Sequence, residues 1–355
     1  MVDRRHYDAV VIGAGPAGAM AARTMALRGA RTLMIDRACK GRWKVCGCCL
    51  GAVGIDALQD AGLDGVLAHA GPIERLTLSA RGARVSVGMS GFASISREDL
   101  DTALVDAAEA AGVEVRWRQS ARATPDGRVH LGGDELLAGV VIDASGLRSH
   151  ADRPPRGGRI GLGLTTDAAL CPTKQLTMAV ARDGYLGRVA LPDGRVDFAM
   201  AATPELVRQA GSPTEAARAI WAEAGLDASE VPDGRWFGTP VLRRRAQAQQ
   251  GRILRVGDAA GYVEPFTGEG MSWALLGGSA VAGDAIACIE HGPDSSRWPR
   301  TLHGLLARRH TRCRAVSNAV RSPTLVRVAI AFAGVAPSVS ASATAMLSGS
   351  RRSVA

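Results

Sequence analysis

"HYDAVVIGAGPAGAMAARTMALRGARTLMID", residues 6–36, decides the fold. Ala9-Val10-Val11-Ile12 is a short apolar run of the kind that makes a parallel strand buried on both faces. Gly13, Gly15 and Gly18 follow at G-x-G-x-x-G spacing, and Ala19 to Leu27 is small and helix-forming until Gly29. Arg31 to Ile35 makes a second strand, closed by Asp36. Gly13 permits the tight turn, Gly15 lets a pyrophosphate approach the backbone, and Gly18 lets helix and strand pack closely. The free N–H groups and positive dipole end of the helix then face the phosphates. Asp36, 18 residues after Gly18, is placed to accept ribose hydroxyls. Strand, glycines, helix, strand and acid together predict a doubly wound α/β dinucleotide-binding lobe.

The chain of 355 residues is long enough for two lobes around a large core. Its start, MVDRRHYDAVVIGAG, does not read as a signal peptide, because the apolar run is short, interrupted by Asp8 and followed by glycines. A cytoplasmic location is therefore expected, and the seven cysteines read as reduced thiols. The formal charge of +9 is a property of the end of the chain. From Ser295 onward there are ten arginines and no acidic residue, leaving 33 basic against 34 acidic side chains before it. With no basic stripe interleaved with aromatics, nucleic acid is not an expected partner.

Two later segments choose between flavin and nicotinamide. Val140 to Ser149 is an apolar strand running into a small-residue turn. From Ile253 a strand ends at Gly257-Asp258, a glycine/proline loop follows, and an Ala/Gly-rich helix begins near Gly270. A helix N-terminus at such a loop stabilises negative charge on a reduced flavin, and an aspartate can bind a ribityl hydroxyl. A nicotinamide dehydrogenase needs no such third element.

With these segments the chain resembles the FAD-dependent oxidoreductases that include aromatic hydroxylases, flavin halogenases and geranylgeranyl reductases. The residues that carry the resemblance are Gly13–Gly18, Ser96-Arg97 with Leu100-Asp101, Asp143–Gly146, and Gly257-Asp258 through Gly270. It implies Arg97 near the FAD phosphate or ribityl region and Asp258 near the ribityl chain. It also implies Pro265, Gly268 and Gly270 under the flavin ring. Ser96 is a candidate helix cap, so a surface ion pair at a helix start remains the alternative for Arg97.

Three cysteines crowd "WKVCGCCLGAVG", residues 43–54. Lys44-Val45-Cys46-Gly47 resembles the K-x-C-G of the reductase branch, where a cysteine faces the isoalloxazine. On the residues, Cys46 is either a structural thiol packing a small, Gly-rich loop or a catalytic thiol that shapes the site or donates a proton, with Lys44 lowering its pKa. Cys48 and Cys49 read as structural. A zinc site would need a second C-x-x-C or paired histidines, so no metal is expected.

The domain reading divides the chain into three parts. Residues 1–72, 97–158 and 237–292 form the FAD-binding domain. Residues 73–96 and 159–236 form an inserted antiparallel β-rich substrate domain, and 293–355 a basic helical C-terminal segment. The segment from 73 to 87 alternates around turn glycine Gly82, and Pro192-Asp193-Gly194 joins two further strands. After Pro299, Leu302, Leu306, Cys313 and Val320 share one helical face, and Pro323 ends the helix. Residues 328–347 carry no charge. Peripheral contact with a membrane surface, a lid on the substrate lobe and a frayed tail remain open for this end.

No second G-x-G-x-x-G exists, so NAD(P)H is expected to dock transiently as electron donor. The resemblance implies reduction of carbon–carbon double bonds of a hydrophobic, polyprenyl-like small molecule. The alternative is a monooxygenase hydroxylating a phenolic or polyketide ring. A non-catalytic flavoprotein that binds a partner through its basic tail is the reading from a different class.

Overall fold

The computed structural model describes residues 6–148, 158–167, 170–242, 244–264, 266 and 268–335. β1 (His6–Ile12) enters the glycine turn, α1 (Pro16–Leu27) follows, and β2 (Thr32–Asp36) returns parallel to β1. Pro16 opens α1, where its missing N–H would have had no helical partner. The chain continues through β3 (Cys49–Gly51), α2 (Ala52–Asp60), β4 (Gly71–Ala80), β5 (Ala83–Ser94) and α3 (Arg97–Ala110). Next come β6 (Glu114–Trp117), β7 (Ala121–Ala123), β8 (Arg128–Leu131) and β9 (Asp134–Asp143). β10 (Ile160–Thr166), β11 (Gln175–Val180), β12 (Gly184–Ala190) and β13 (Val196–Ala202) precede α4 (Pro204–Ala210), α5 (Pro213–Glu223) and β14 (Phe237–Val241). Four short strands, β15 (Arg244–Arg245), β16 (Gln249–Gln250), β17 (Ile253–Arg255) and β18 (Gly261–Tyr262), lead to the last helices. These are α6 (Gly270–His291), α7 (Arg297–Ala319) and α8 (Pro323–Val335).

The first sheet runs β16-β17-β9-β1-β2-β6, with β17, β9, β1, β2 and β6 all parallel. Its central strands are buried on both faces, as the unbroken apolar run in β1 requires. α1, α3 and α6 cover one face. α6 is long and apolar enough to cross a membrane, yet Leu275, Val281, Ala282 and Ala285 on it are fully buried in the core. It lies so close to α1 that a Cβ on Gly278 would come within 2.4 Å of the Ala17 carbonyl oxygen.

The second sheet runs β14-β10-β13-β12-β11-β4-β5-β3. It departs from the expected antiparallel arrangement at one joint, where β11 pairs with β4 in parallel. The chain reaches β11 from the far side of the sheet rather than by a hairpin from β4, so the two strands run the same way. The β4–β5 hairpin closes through Arg81 and Gly82, both at positive φ, which matches the right-handed twist of the strands. β3 also belongs to this sheet, pairing with β5, although it lies in a segment expected to serve only the first lobe. The cysteine loop therefore bridges the two sheets.

The C-terminal helices pack on the body of the protein. α7 begins at Arg297, two residues before the expected Pro299, which fits inside the first turn because its N–H would be unpartnered there. Trp298 is fully buried, and its indole Nε1 donates to the Arg255 carbonyl at 2.8 Å. Leu306, Cys313 and Val320 are buried as their shared face predicted. Pro323 begins α8, whose Val326 and Ile330 join a cluster with Met178 and Tyr185 of the second sheet. The uncharged stretch beyond residue 335 lies outside the described residues.

Candidate flavin and substrate site

A cavity of about 1170 Å³ opens between the two sheets, at the carboxyl ends of β1, β2 and β9. That is where open parallel sheets bind ligands. Gly13, at φ +108°, presses on the turn after β9, and a Cβ there would come within 2.3 Å of the Ala144 carbonyl oxygen. Gly18 is tighter, with its Cβ position 1.8 Å from the Gly13 carbonyl oxygen. Gly15 differs. The nearest atoms to its Cβ position are Arg97 Nη2 at 3.6 Å and Lys44 Nζ at 3.7 Å. The turn thus leaves an open cradle rimmed by two cations and the start of α1, which fits a pyrophosphate.

Both cations are held by Asp101, on the buried face of α3. Arg97 Nε and Nη2 donate to its two carboxylate oxygens at 2.9 Å each, and Lys44 Nζ donates to Oδ2 at 2.7 Å. Burial pushes the Asp101 carboxyl up, but Arg97 and Lys44 outweigh it and hold the carboxyl below its ordinary range. Ser96 caps the helix by accepting from the Asp99 N–H at 3.0 Å, yet Arg97 points inward rather than forming a surface pair. Asp36 lines the far end of the cavity. There it also braces the glycine turn, accepting from the N–H groups of Ala14 and Ala38 at 2.8 Å each.

Asp258, in the tight turn after β17, lines the same cavity, as do Gly268 and Gly270 at the mouth of α6. Gly268 has φ +73°, and its Cβ position lies 3.3 Å from Cys49 Cβ, so this loop meets the cysteine loop. Pro265 lies outside the described residues. α7 steadies the loop from behind. The Ser317 hydroxyl donates to the Glu264 carbonyl at 2.7 Å, and Arg321 reaches the Glu264 carboxylate at 3.6 Å.

Cys46 is half-buried and lines the cavity, whereas Cys48 and Cys49 are buried. All seven cysteines are thiols rather than disulfides, and among the described residues no cluster of His, Cys, Asp and Glu is placed to hold a metal. A hydrogen bond from the Cys48 thiol, with the Arg97 guanidinium, holds the Cys46 thiol well below the ordinary range against the opposing effect of burial. Lys44 is not the responsible cation. It is committed to Asp101 and the glycine turn, and Arg97 is the charge that acts on Cys46. Cys48 sits at φ +49° and packs in the small cluster with Ile73, Phe92 and Val189, and the Cys46 neighbour and burial push its thiol up.

The sequence pattern alone misses the opposite wall. Trp43 Nε1 donates to Thr165 Oγ1 at 2.8 Å, and Thr165 Oγ1 donates to Asp197 Oδ1 at 2.8 Å. Asp197 is 2% exposed and lines the cavity, and burial raises its carboxyl to about 8. The available signal was a single acid inside the apolar strand Val196–Ala202. Around it the second sheet contributes Leu176, Met178, Val189 and Met200, a largely apolar surface.

Comparison with known proteins agrees with this geometry. A family model described as an FAD binding domain matches residues 6–131. The geranylgeranyl diphosphate reductase of Rhodobacter capsulatus is 30% identical over 319 residues, covering 81% of this chain and 76% of the relative. Digeranylgeranylglycerophospholipid reductase 1 of Methanopyrus kandleri is 28% identical over 337 residues, covering 82% and 84%. A geranylgeranyl bacteriochlorophyll reductase-like structure from Thermoplasma acidophilum superposes with a TM-score of 0.75 at 18% identity, covering 90% of each chain. A chain with this cavity, these glycines and this extent of identity belongs to the geranylgeranyl reductase family of FAD-dependent oxidoreductases.

Proposed function

We propose that the protein reduces carbon–carbon double bonds of a hydrophobic, polyprenyl-like substrate, with FAD as its cofactor and NAD(P)H as a transiently bound electron donor. The observation that carries this reading is the junction at Cys46. There a thiol under the influence of Arg97 stands where the phosphate cradle gives way to the apolar surface of the second sheet. The names of the relatives, reductases of geranylgeranyl and digeranylgeranyl compounds, support the same substrate class.

In this reading the first sheet and its helices hold the cofactor and the second sheet the substrate. Gly13 and Gly18 shape the turn, and Gly15, Arg97 and Lys44 receive the pyrophosphate. Asp36 serves the adenosine ribose, Asp258 the ribityl chain, and Gly268 and Gly270 the approach to the ring. Bound FAD, once reduced, supplies a hydride. Cys46, in its protonated form, supplies the proton at the second carbon, and the apolar wall excludes water from the double bond. Lys44 then acts through the phosphate cradle rather than on the thiol.

α8 supports contact with a membrane surface, where such substrates reside. Leu325, Val328 and Phe332 are exposed on it, beside a segment whose charges are all positive. Binding to anionic vesicles should weaken with added salt and with Phe332→Glu, and binding indifferent to both would remove the membrane from this account.

The test of the reaction is turnover under argon. With NADPH and a polyprenyl diphosphate, the product should gain two hydrogens per double bond without oxygen. A product that forms only with oxygen and carries a new hydroxyl would replace this reading with the monooxygenase one.

A further inference from the structure

The cavity face of the second sheet carries a shallow trough. Side chains alternate between the two faces along each strand. Leu162, Phe198, Leu186 and Ala179 turn to the far side, into a core with Ile220 and Trp221 of α5. Ala199, Gly187, Val189, Leu176 and Met178 face the other way and line the cavity. The register sets Met178 opposite Gly187, and Gly187 opposite Ala199. One row across β11, β12 and β13 therefore holds a long side chain and then two small residues. Gly163 extends that row, but its Cβ position is roofed by Val45 at 3.2 Å and Trp43 at 3.3 Å. Gly187 has a different neighbour. A Cβ there would lie 2.9 Å from Met178 Sδ and 3.9 Å from its Cε. The thioether lies over bare backbone, and methionine is unbranched and turns about three bonds, so this cover is movable. Behind it, Met178 and Tyr185 share a cluster with Val326 and Ile330, so α8 backs this end of the trough.

We propose that the far end of the polyprenyl chain lies in this trough, and that Met178 over Gly187 sets how many isoprene units the site accepts. The proposal rests on the reductase reading above and makes Met178 and Gly187 specificity-determining residues. A chain whose reacting double bond sits at Cys46 leaves its remaining units to the apolar floor at Leu176, Val189 and Ala199. Each further unit of five carbons removes more apolar surface from water, so length is read as affinity until the chain meets Met178. Past that point Met178 must turn against Val326 and Ile330, and further length contributes little. A bulkier side chain at 178, or any side chain at 187, shortens the trough. A smaller one at 178 lengthens it.

The experiment titrates the oxidised holoenzyme with geranyl, farnesyl and geranylgeranyl diphosphate, of two, three and four isoprene units, and follows the flavin absorbance. The readout is the ratio of Kd values between the longest and the shortest ligand, which a general loss of stability leaves alone. Met178→Trp and Gly187→Val should each weaken geranylgeranyl diphosphate about 10- to 100-fold relative to geranyl diphosphate, as one unit is left partly in water. Met178→Ala should move the ratio the other way, toward the longer ligand. Three variants acting in two directions keep the outcome decisive where one of them fails to fold. A ratio unmoved in every folded variant overturns the gauge and leaves the reductase reading intact. Binding in the expected order without reduction under argon leaves the gauge standing and removes the reaction. A wild type that binds none of the three ligands overturns both.

Discussion

Asp101 and Asp197 are buried aspartates on opposite sides of one site, 4% and 2% exposed. Asp101 holds two cations and is fully ionised, while Asp197 has a hydroxyl for a partner and keeps its proton toward pH 8. The same side chain at the same depth takes opposite charge states because its partners differ. Environments that push two carboxyls apart in this way mark different tasks. Asp101 organises positive charge beneath the glycine turn, and Asp197 faces the apolar wall.

The comparison depends first on the glycine turn that gives Asp101 its task. Gly18→Val should abolish flavin retention altogether, since its Cβ would lie 1.8 Å from a carbonyl oxygen that belongs to the turn itself. Purified variant with normal flavin absorbance would mean that this turn does not shape the phosphate cradle.

One substitution made at both aspartates tests the contrast itself. Asp101→Asn strands two cations that are largely buried, and should cost about 3–5 kcal/mol of stability by denaturant unfolding. Asp197→Asn replaces a neutral acid by a neutral amide and should cost about 1 kcal/mol or less at neutral pH. Linkage gives the sign of the pH effect. The folded-state pKa of Asp197 is raised from 3.8 to about 8, so the wild type binds an extra folded-state proton between those values. This group's contribution to stability is therefore present at low pH and declines as pH rises toward 8, a dependence that Asp197→Asn should remove. Equal costs for the two variants would erase the distinction.

A more local effect is expected at Asp258. Asp258→Ala should weaken FAD about 10- to 150-fold by titration, the equivalent of one charge-assisted hydrogen bond, with the fold intact. Unchanged affinity would take Asp258 out of the cofactor site.

Legibility followed the same division. The turn at Gly13–Gly18, the acid at Asp36, the capped helix after Ser96 and the Gly257-Asp258 turn were readable because each is built from neighbours in sequence. The hairpin through Gly82 was readable for the same reason. Asp197 was not, because its place in the cavity wall comes from the β10–β13 register that sets Thr165 opposite it. The pairing of Lys44 with Asp101 spans 57 positions and left no local trace. The apolar stripe of α7 was legible, but what it docks on was not. Its hold on the core depends on Trp298 finding a carbonyl on β17 and Ser317 finding the loop at Glu264.

Cysteine labelling with mass-spectrometric mapping reads whether bound flavin reaches Cys46, where the two walls of the cavity meet. Flavin-free protein at neutral pH should be alkylated rapidly at Cys46, because its thiolate is favoured and it faces the cavity, and slowly at buried Cys48 and Cys49. Exposed Cys39 serves as the internal control and should label equally with or without cofactor. Added FAD should protect Cys46 and leave Cys39 unchanged. Labelling of Cys46 that is indifferent to FAD would contradict the account.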